Sequence, residues 1–290
     1  MRGGEIAVKR QLRKRENPVI KKFIKSIIEH FPAVALFYRN TRDLLDQLNP
    51  ALATPWGFSF AGHDAMAAGS FEPEETAVVR KLLAEVDVLV NVGANVGYYC
   101  CHALSMGKAV VAVEPNTRNL HYLLKNIKNN GWEKQAEVFP VAMGSGADIL
   151  QLWGGGTGAS LVKGWAAIPE SYVTKVPILS LDRVLGDTLG GKQALILVDI
   201  EGAEFMMLQG AKHTLMNEPR PIWLMEISSS EHQPAGNVMN PSFVETFGVF
   251  FDHGYQVFTA NAAADEITPA FIQEVAMGQR KLDTHNFVFR

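Results

Sequence analysis

The sequence contains little cysteine and no long apolar run. Its 290 residues include only two cysteines, Cys100 and Cys101, which are adjacent and do not suit a disulfide framework. No uninterrupted apolar stretch reaches the roughly 20 residues that a membrane-spanning helix needs. The N-terminus stays charged past its first ten residues and lacks a compact apolar segment with a cleavage site, so we expect no signal peptide. These absences lead us to expect a cytoplasmic protein.

Several motifs that define functional classes are also absent. The two cysteines and eight histidines do not occur at the spacing of metal ligands, and we expect no metal site. The glycine run 154–158 is not followed by Gly-Lys-Ser/Thr, which excludes a P-loop. The sequence also lacks the Asn/Asp-Pro-Pro-Tyr/Phe stretch of enzymes that methylate amino groups in nucleic acids.

Positive charge is concentrated at the N-terminus. Residues 1–25 carry nine Lys/Arg against two Glu, a net charge of +7. The other 265 residues carry 18 basic and 28 acidic side chains, a net charge of −10. An acidic body does not suit the phosphates of nucleic acid, so we expect no nucleic-acid partner.

The basic segment also has a helical pattern. Apolar residues in 18–31 follow the three-four spacing of one helix face, with lysines off that face. A second helix is predicted within 33–50. We expect residues 1–50 to form a basic tail and a helical cap, and residues 51–290 to form the main domain. The alternative is that residues 1–31 make a peripheral contact with an anionic membrane.

The most informative stretch is Val88–Tyr99, which reads Val-Leu-Val-Asn-Val-Gly-Ala-Asn-Val-Gly-Tyr-Tyr. The pattern predicts a buried strand that stops at a glycine-rich turn and continues into a helix. A second apolar run, 109–113, is followed by Glu114. This order is typical of the nucleotide-binding half of a doubly wound sheet, in which the acid accepts hydrogen bonds from ribose hydroxyls.

The glycine spacing indicates which ligand fits the turn. A dinucleotide fingerprint has three glycines so that a pyrophosphate can approach the helix N-terminus. Counted from Gly93, the two later positions hold Asn95 and Tyr98, and the tyrosine would crowd a pyrophosphate. The remaining turn, Gly93 to Gly97, favours a ligand without phosphate, such as the amino-acid end of S-adenosylmethionine.

Strand and helix patterns alternate through most of the chain, which predicts an α/β fold with a mostly parallel sheet and right-handed crossovers. The last two strands fit a reversed C-terminal hairpin on this sheet. The predicted strands are 88–92, 109–113, 136–142, 194–199, 221–227, 255–259 and 285–289. The predicted helices are 73–83, 96–106, 117–130, 203–216 and 241–253.

Two segments interrupt this alternation. Residues 51–72 are rich in Gly, Ala and aromatic side chains and predict a hairpin or loop. Residues 143–175 form a predicted insertion, with a hairpin of strands 148–153 and 159–163 joined by the glycine run. We expect acceptor specificity to lie in these two segments, and Ser160 and Trp165 can contact substrate if the insertion covers the site.

Three sequence blocks resemble the FkbM family of S-adenosylmethionine-dependent methyltransferases: Val92–Tyr99, Val113–Asn116 and Val198–Glu204. The similarity extends from about residue 69 to about residue 226. It implies a Rossmann-like class I methyltransferase with a seven-stranded sheet and S-adenosylmethionine as its cofactor. The family usually has aspartate where this chain has Asn91, and an amide brings no charge to the methionine end of the cofactor.

The resemblance also implies an activity. It indicates an O-methyltransferase that acts on a hydroxyl of a sugar or a polyhydroxylated natural product, with a small-molecule or carbohydrate acceptor as its partner. Three alternatives stay open: a membrane-peripheral enzyme that acts on a lipid-linked glycan, a homologue that binds the cofactor without catalysis, and methylation of a nitrogen. The oligomeric state is not predicted.

Ligands of open parallel sheets bind beyond the carboxyl ends of the strands, so the candidate site residues are those at these ends. Asp199 and His232 are the candidate catalytic residues, and the general base is not settled between them. Glu201 and Glu204 are expected to stabilise a helix N-terminus. The candidate cofactor-binding residues are Asn91, Gly93, Ala94, Asn95, Gly97, Glu114, Asn116, Asn119, Ala142 and Asp199.

Overall fold

The computed structural model describes residues 50–290, and every structural statement below concerns this part of the chain. The predictions for residues 1–49, which include the basic tail, the helical cap and the membrane alternative, lie outside the described residues. No helix within 50–290 combines the length and the apolar character needed to cross a bilayer.

Short strands and helices alternate along the described residues. The strands are β1 (Leu52–Ala53), β2 (Ser59–Phe60), β3 (Val88–Val92), β4 (Ala109–Val113), β5 (Ala136–Phe139), β6 (Ala142–Met143), β7 (Asp148–Trp153), β8 (Val173–Leu179), β9 (Ala194–Val198), β10 (Ile222–Glu226), β11 (Val257–Thr259), β12 (Glu266–Ile267) and β13 (Asn286–Phe289). The α-helices are α1 (Asp64–Ala68), α2 (Pro73–Leu83), α3 (Tyr98–Ser105), α4 (Thr117–Asn129), α5 (Leu181–Leu185), α6 (Glu204–Leu208), α7 (Lys212–Leu215), α8 (Phe243–Asp252) and α9 (Pro269–Ala276).

The main sheet confirms the predicted Rossmann-like α/β fold. Its strand order is β12-β11-β13-β10-β9-β3-β4-β5. Strands β10, β9, β3, β4 and β5 are parallel, and β13 runs antiparallel between β10 and β11. Strand β4 pairs with one side of β3, and β9, which comes later in the chain, pairs with its other side. The switch point of the topology, where such sheets bind ligands, therefore lies between β3 and β9.

The sheet has eight strands within the described residues, whereas the sequence predicted seven. The additional strand is β12, which pairs with the edge strand β11 through only two residues. Two residues are too few to produce a recognisable alternation of apolar and polar side chains. Helix α9, which follows β12 directly, is also absent from the sequence prediction.

The central strands are buried on both faces, which explains why they read as continuous apolar runs. In β3, Val88, Val90 and Val92 pack into the core on one side of the sheet. Leu89 packs into the core on the other side, against the helix side chains Leu83 and Leu104. Every residue of β3 is buried.

The predicted hairpin 148–153 with 159–163 is wrong in its second strand. Strand β7 pairs antiparallel with β8 along its whole length, and residues 159–163 contribute only an isolated bridge between Ser160 and Trp153. The predicted strand 136–142 is also two strands, because the chain leaves the main sheet at Pro140 and β6 joins a separate sheet of order β6-β8-β7. A proline cannot donate to a sheet ladder, which accounts for the break.

The predicted helix 203–216 is divided into α6 and α7. The break lies at Gly210, where a Cβ atom would overlap the carbonyl oxygen of Gly144. The main-chain N–H of Asp182 donates a hydrogen bond of 3.0 Å to the carbonyl of Gly210. The apolar pattern predicts one continuous helix, but the helix is interrupted where Gly210 packs closely against Gly144 and Asp182.

Candidate functional site

A cleft that is partly open to solvent lies at the carboxyl ends of β3, β4 and β9. Part of the β7–β8 connection forms its other wall, through Gly156, Thr157, Ala159 and Leu161. Six of the ten predicted cofactor-binding residues line the cleft: Gly93, Asn95, Glu114, Asn119, Ala142 and Asp199.

The glycines of the turn are required by packing. Gly93 has a φ of 84°, and a Cβ atom there would overlap the carbonyl oxygen of Asp199. Gly97 has a φ of 87°, and its Cβ would lie 2.6 Å from Cδ1 of Leu123 on α4. Gly97 and the buried Ala94 shape the turn, but neither lines the cleft.

Glu114 is fixed at the end of β4 by three hydrogen bonds. Its Oε2 accepts the main-chain N–H of Asn95 at 2.7 Å, and its Oε1 accepts the main-chain N–H of Asn116 at 2.8 Å and Nδ2 of Asn119 at 3.3 Å. Burial raises the pKa of Glu114 to about 7, although the main-chain hydrogen bonds oppose this shift. The residue therefore joins the glycine turn to α4, and Oε2 keeps capacity for a further donor.

Two amide oxygens in the cleft have no hydrogen-bond partner among the described residues. They are Oδ1 of Asn95 and Oδ1 of Asn119, and both are buried. Buried acceptors without a partner are uncommon and favour a ligand that donates hydrogen bonds. Ribose hydroxyls and the adenine amino group are such donors, so this end of the cleft fits the adenosine part of S-adenosylmethionine.

Two predicted cofactor residues are placed elsewhere by the structure. Asn91 is buried on the Leu89 side of β3, where its Nδ2 donates to Sγ of Cys100 at 3.5 Å, and it does not line the cleft. Asn116 caps α4, because its Oδ1 accepts the main-chain N–H groups of Arg118 at 3.0 Å and Asn119 at 3.3 Å. Asn116 thus stabilises the N-terminus of α4.

Asp199, which follows β9, lies in a strongly acidic part of the site. Burial raises the pKa of Asp199 well above its ordinary value, and neighbouring carboxylates add to the shift. Burial raises the pKa of Glu226, at the end of β10, to about 8, and nearby carboxylates add to the shift: Glu201, Glu75, Glu72 and Glu204. The carboxylates that act on Asp199 are Glu226, Glu201, Glu75 and Glu204.

Glu72 and Glu75 extend this acidic group and were missed by the sequence analysis. Glu75 accepts hydrogen bonds from Tyr99 at 2.8 Å and from Asn286 at 3.0 Å. Burial and the charge of Glu75 raise the pKa of Glu72 to about 7. They lie near the start of the region that resembles the family but outside its three motif blocks, and they reach the site only through folding. Within residues 50–290, no three His, Cys, Asp or Glu side chains are arranged to hold a metal ion.

We call residues 154–168, which run from the end of β7 over the cleft, the cover loop. Nε1 of Trp165 donates to Oε2 of Glu201 at 2.7 Å, and Oγ of Ser160 donates to the main-chain carbonyl of Glu201 at 2.5 Å. At its other end, Nδ2 of Asn119 donates to the carbonyl of Gly156 at 2.8 Å. Ser160 and Trp165 are buried, and their hydrogen bonds to Glu201 hold the cover loop in place.

The carboxylates of Glu201 and Glu204 make different contacts. Glu204 accepts the N–H of Gly202 at 2.9 Å at the start of α6, as a residue that stabilises a helix N-terminus does. Glu201 lines the cleft and holds the cover loop. Its φ of 54° is in the left-handed region, which is uncommon for a residue with a side chain.

His232 lies outside the cleft. Its ring centroid is 6.0 Å from that of Trp165, and its main-chain carbonyl accepts the N–H of Ala166 at 2.7 Å. Of the two predicted catalytic residues, the structure brings only Asp199 to the cleft.

Comparisons with known proteins found one matching family and several similar solved structures. The sequence model described as "Methyltransferase FkbM domain" matches residues 91–257. No curated protein matches the chain significantly. Among solved structures, an FkbM methyltransferase from Methylobacillus flagellatus has 16% identity and a TM-score of 0.42, over 88% of this chain and 60% of that chain. An O-methyltransferase from Bacillus cereus, in complex with SAH, has 9% identity and a TM-score of 0.42, over 75% of this chain and 80% of that chain.

These solved structures are too distant to support an acceptor or a residue role. The family assignment rests on the sequence model, whose match covers more than half of the chain and includes the glycine turn, Glu114 and Asp199. The chain belongs to the FkbM family of methyltransferases, whose members take the transferred methyl group from S-adenosylmethionine.

Proposed function

We propose that the protein is an O-methyltransferase that methylates a hydroxyl of a sugar or another polyhydroxylated metabolite. The observation that carries this proposal is a carboxylate with a raised pKa, Asp199, that lines the cleft at the switch point of the sheet. An aliphatic hydroxyl must lose its proton as the new C–O bond forms. A carboxylate that lines the cleft can accept this proton as a general base.

Asp199 is the base in this proposal. When bound, S-adenosylmethionine supplies a methyl group that is attached to a sulfonium sulfur. The sulfur is the leaving group and becomes a neutral thioether. Asp199 accepts the hydroxyl proton. Burial, together with like-charge repulsion from Glu226, keeps the pKa of Asp199 high. The two carboxyls lie at the carboxyl ends of adjacent strands, because Met225 of β10 pairs with Val198 of β9.

The chain offers residues for each part of the cofactor. We assign the ribose hydroxyls to Glu114, whose Oε2 faces the glycine turn. Asn95 and Asn119 supply the acceptors that have no partner in the fold, and Ala142 gives the adenine a small neighbour. The acidic group around Asp199 suits the ammonium and sulfonium charges. Asn91 takes no part, so its difference from the family pattern is no sign of lost cofactor binding.

Calorimetry tests the cofactor assignment directly. The purified full-length protein is titrated with S-adenosylmethionine, and the absence of binding at millimolar cofactor would overturn the proposal. Incubation with methyl-labelled cofactor and a whole-cell extract, followed by mass spectrometry, then identifies the product. A label on oxygen of a polyhydroxylated compound supports the proposal, whereas a label only on nitrogen or on nucleic acid contradicts it.

Replacement of the base separates chemistry from binding. We expect Asp199→Asn to lower kcat by about 10²- to 10⁴-fold, the usual contribution of a general base. Asp187→Asn, which changes an exposed aspartate, is the matched control and should leave kcat unchanged. A kcat for Asp199→Asn within about twofold of the wild-type value would exclude Asp199 as the base.

A further inference from the structure

Glu75 is held by two hydrogen-bond donors from different parts of the fold. Its Oε1 accepts the hydroxyl of Tyr99, on α3, at 2.8 Å, and its Oε2 accepts Nδ2 of Asn286, on β13, at 3.0 Å. Glu75 itself lies in the first turn of α2. One carboxylate therefore joins two helices and a strand of the main sheet, and neither of its oxygens can turn away without the loss of a hydrogen bond.

Both donors favour the ionised form of Glu75. Burial raises the pKa of Glu75, and the hydrogen bonds from Tyr99 and Asn286 oppose this shift because they stabilise the carboxylate. Burial and then the charge of Glu75 raise the pKa of Tyr99, so the phenol stays a neutral donor. The two hydrogen bonds thus hold Glu75 in one position and favour its negative charge.

The strand register brings this carboxylate close to Glu226. Asn286 is the direct partner of Glu226 in the antiparallel pair of β10 and β13. Side chains of directly opposed residues lie on the same face of a sheet, with their Cβ atoms about 4.5–5.5 Å apart. Because Nδ2 of Asn286 is bound to Glu75, the carboxylate of Glu75 is only one side chain away from Glu226.

Glu226 in turn adjoins Asp199, the proposed base. Both residues lie one register step beyond the pair of Val198 and Met225, on adjacent parallel strands. A row of side chains therefore crosses the carboxyl edge of the sheet: Tyr99, Glu75, Asn286, Glu226 and Asp199.

Other titratable groups also face this row. Burial raises the pKa of Glu226 most, and the charges of Glu201 and then Glu75 add to the shift. Glu201 is engaged by Trp165 of the cover loop, whereas Glu75 is bound to the cross-strand partner of Glu226 itself. The remaining groups come from the start of α2, the start of α6 and the residue before β13: Glu72, Glu204 and His285.

We propose that Glu75 is a positioning residue for methyl transfer, which is clamped by Tyr99 and Asn286 and makes Asp199 a stronger base through its fixed negative charge. A like charge disfavours the ionised forms of Glu226 and Asp199, so both carboxyls hold a proton more strongly. Glu75 does not line the cleft and acts through these neighbours. This inference rests on the proposed function, since it concerns the base of the same reaction.

The titration of Glu226 in the cofactor-free, full-length protein tests the charge of Glu75 directly. It is followed by ¹³C NMR of the glutamate carboxyl carbons, and Glu226→Gln assigns the signal. The wild type should show a pKa of about 8 for Glu226. In Glu75→Gln, the midpoint should lie about one pH unit lower, because a like charge is lost. Glu74→Gln, at the exposed neighbour in the same helical turn, is the matched control and should leave the midpoint in place. Equal midpoints in Glu75→Gln and the wild type would overturn the inference.

Tyr99→Phe tests the clamp. Without the phenol hydroxyl, Glu75 loses one of its two donors, so the midpoint of Glu226 should move in the same direction as in Glu75→Gln but by less. The same substitution in the Glu75→Gln background should have a smaller effect than in the wild type, since the charge that Tyr99 positions is gone. Equal effects in the two backgrounds would show that Tyr99 does not act through Glu75.

The pH profile of kcat gives the functional measurement, with the acceptor that the labelled-cofactor experiment identifies. A base must be ionised to act, so a weaker base in Glu75→Gln should move the acidic limb of the profile about one pH unit lower. A purely structural loss would reduce kcat at every pH and leave the limb in place, which would contradict the inference. If Asp199→Asn keeps its kcat, the proposed function fails. If Asp199→Asn loses activity but Glu75→Gln keeps the wild-type profile, only the role of Glu75 is wrong.

Discussion

A side chain at Gly93 would overlap the main-chain carbonyl oxygen of Asp199. Gly93 begins the turn after β3, and the N–H of Asp199 donates to the carbonyl of Val92 at 3.1 Å. The strand ends are therefore packed backbone to backbone. Because Gly93 has no side chain, the glycine turn and Asp199, the candidate base, can lie side by side at the same edge of the sheet.

We predict that Gly93→Ala destabilises the protein more than Gly57→Ala. Both glycines are in the left-handed region, with φ of 84° and 86°, so both variants carry similar backbone strain. Only Gly93 also meets a neighbouring backbone, since nothing lies within 4 Å of a Cβ at Gly57. The overlap should lower the free energy of unfolding by about 1–3 kcal/mol beyond the control, measured by urea denaturation. Equal losses in the two variants would show that the packing of Gly93 on Asp199 is not required.

The central strands could be predicted because they are buried on both faces and are bounded by glycine turns. The same alternation also places Asn91 on the face of Leu89, away from Val90 and Val92, and thus away from the cleft. The alternation of side chains along a strand therefore predicts that Asn91 lies outside the cofactor site. Family resemblance drew attention to the position, although the geometry of a strand decides where its side chain points.

Other parts of the site could not be read from the sequence, because they depend on long-range packing. Glu72 and Glu75 reach the acidic group only when α2 packs beside the sheet. The partner of β7 is β8, and about twenty residues separate the two strands, so no local turn signal connects them. The division of the helix at Gly210 likewise follows from its contact with a distant segment.

We predict that Glu114→Gln weakens S-adenosylmethionine binding by about 10- to 100-fold. This range corresponds to the roughly 1.5–3 kcal/mol of a hydrogen bond to a charged group. Glutamine keeps the size of the side chain, and Glu133→Gln, at an exposed glutamate, is the matched control for loss of one charge. Calorimetry gives both affinities, and equal values would remove Glu114 from the cofactor site.

The pH dependence of binding provides a second measurement on Glu114. Its pKa in the ligand-free protein is about 7, and the carboxylate is the form that accepts hydrogen bonds from ribose hydroxyls. Cofactor affinity should therefore rise as the pH increases through about 7, and this rise should be smaller in Glu114→Gln. An identical pH profile in the variant would assign the titration to another group.

The acidic group predicts that the ligand-free protein is less stable at high pH. The pKa of Glu226 is raised from 4.5 to about 8 in the folded protein, so the folded state binds more protons than the unfolded state between these values. Its contribution to stability is fully present below pH 4.5 and is lost as the pH rises through about 8. We expect Tm to fall by about 3–6 °C between pH 6 and pH 8.5, a change of about 1–2 kcal/mol.

Glu226→Gln should reduce this fall in Tm, because glutamine does not ionise. Glu133→Gln, at an exposed glutamate, should leave it unchanged. Differential scanning calorimetry without cofactor measures both variants. A Tm that is higher at pH 8.5 than at pH 6 would contradict the raised pKa values of the acidic group.

The contact between Gly202 and Trp165 predicts how the cover loop can be released. Gly202 has a φ of 94°, and its Cβ would lie 2.5 Å from Cζ3 of Trp165. Gly236 has a φ of 97°, with nothing within 4 Å of its Cβ. Both alanine variants carry the backbone strain, but only Gly202→Ala displaces the indole that is hydrogen-bonded to Glu201. We expect Gly202→Ala to increase acrylamide quenching of tryptophan fluorescence and to weaken cofactor binding, and Gly236→Ala to do neither. Equal quenching in the two variants would mean that the cover loop is not held through Trp165.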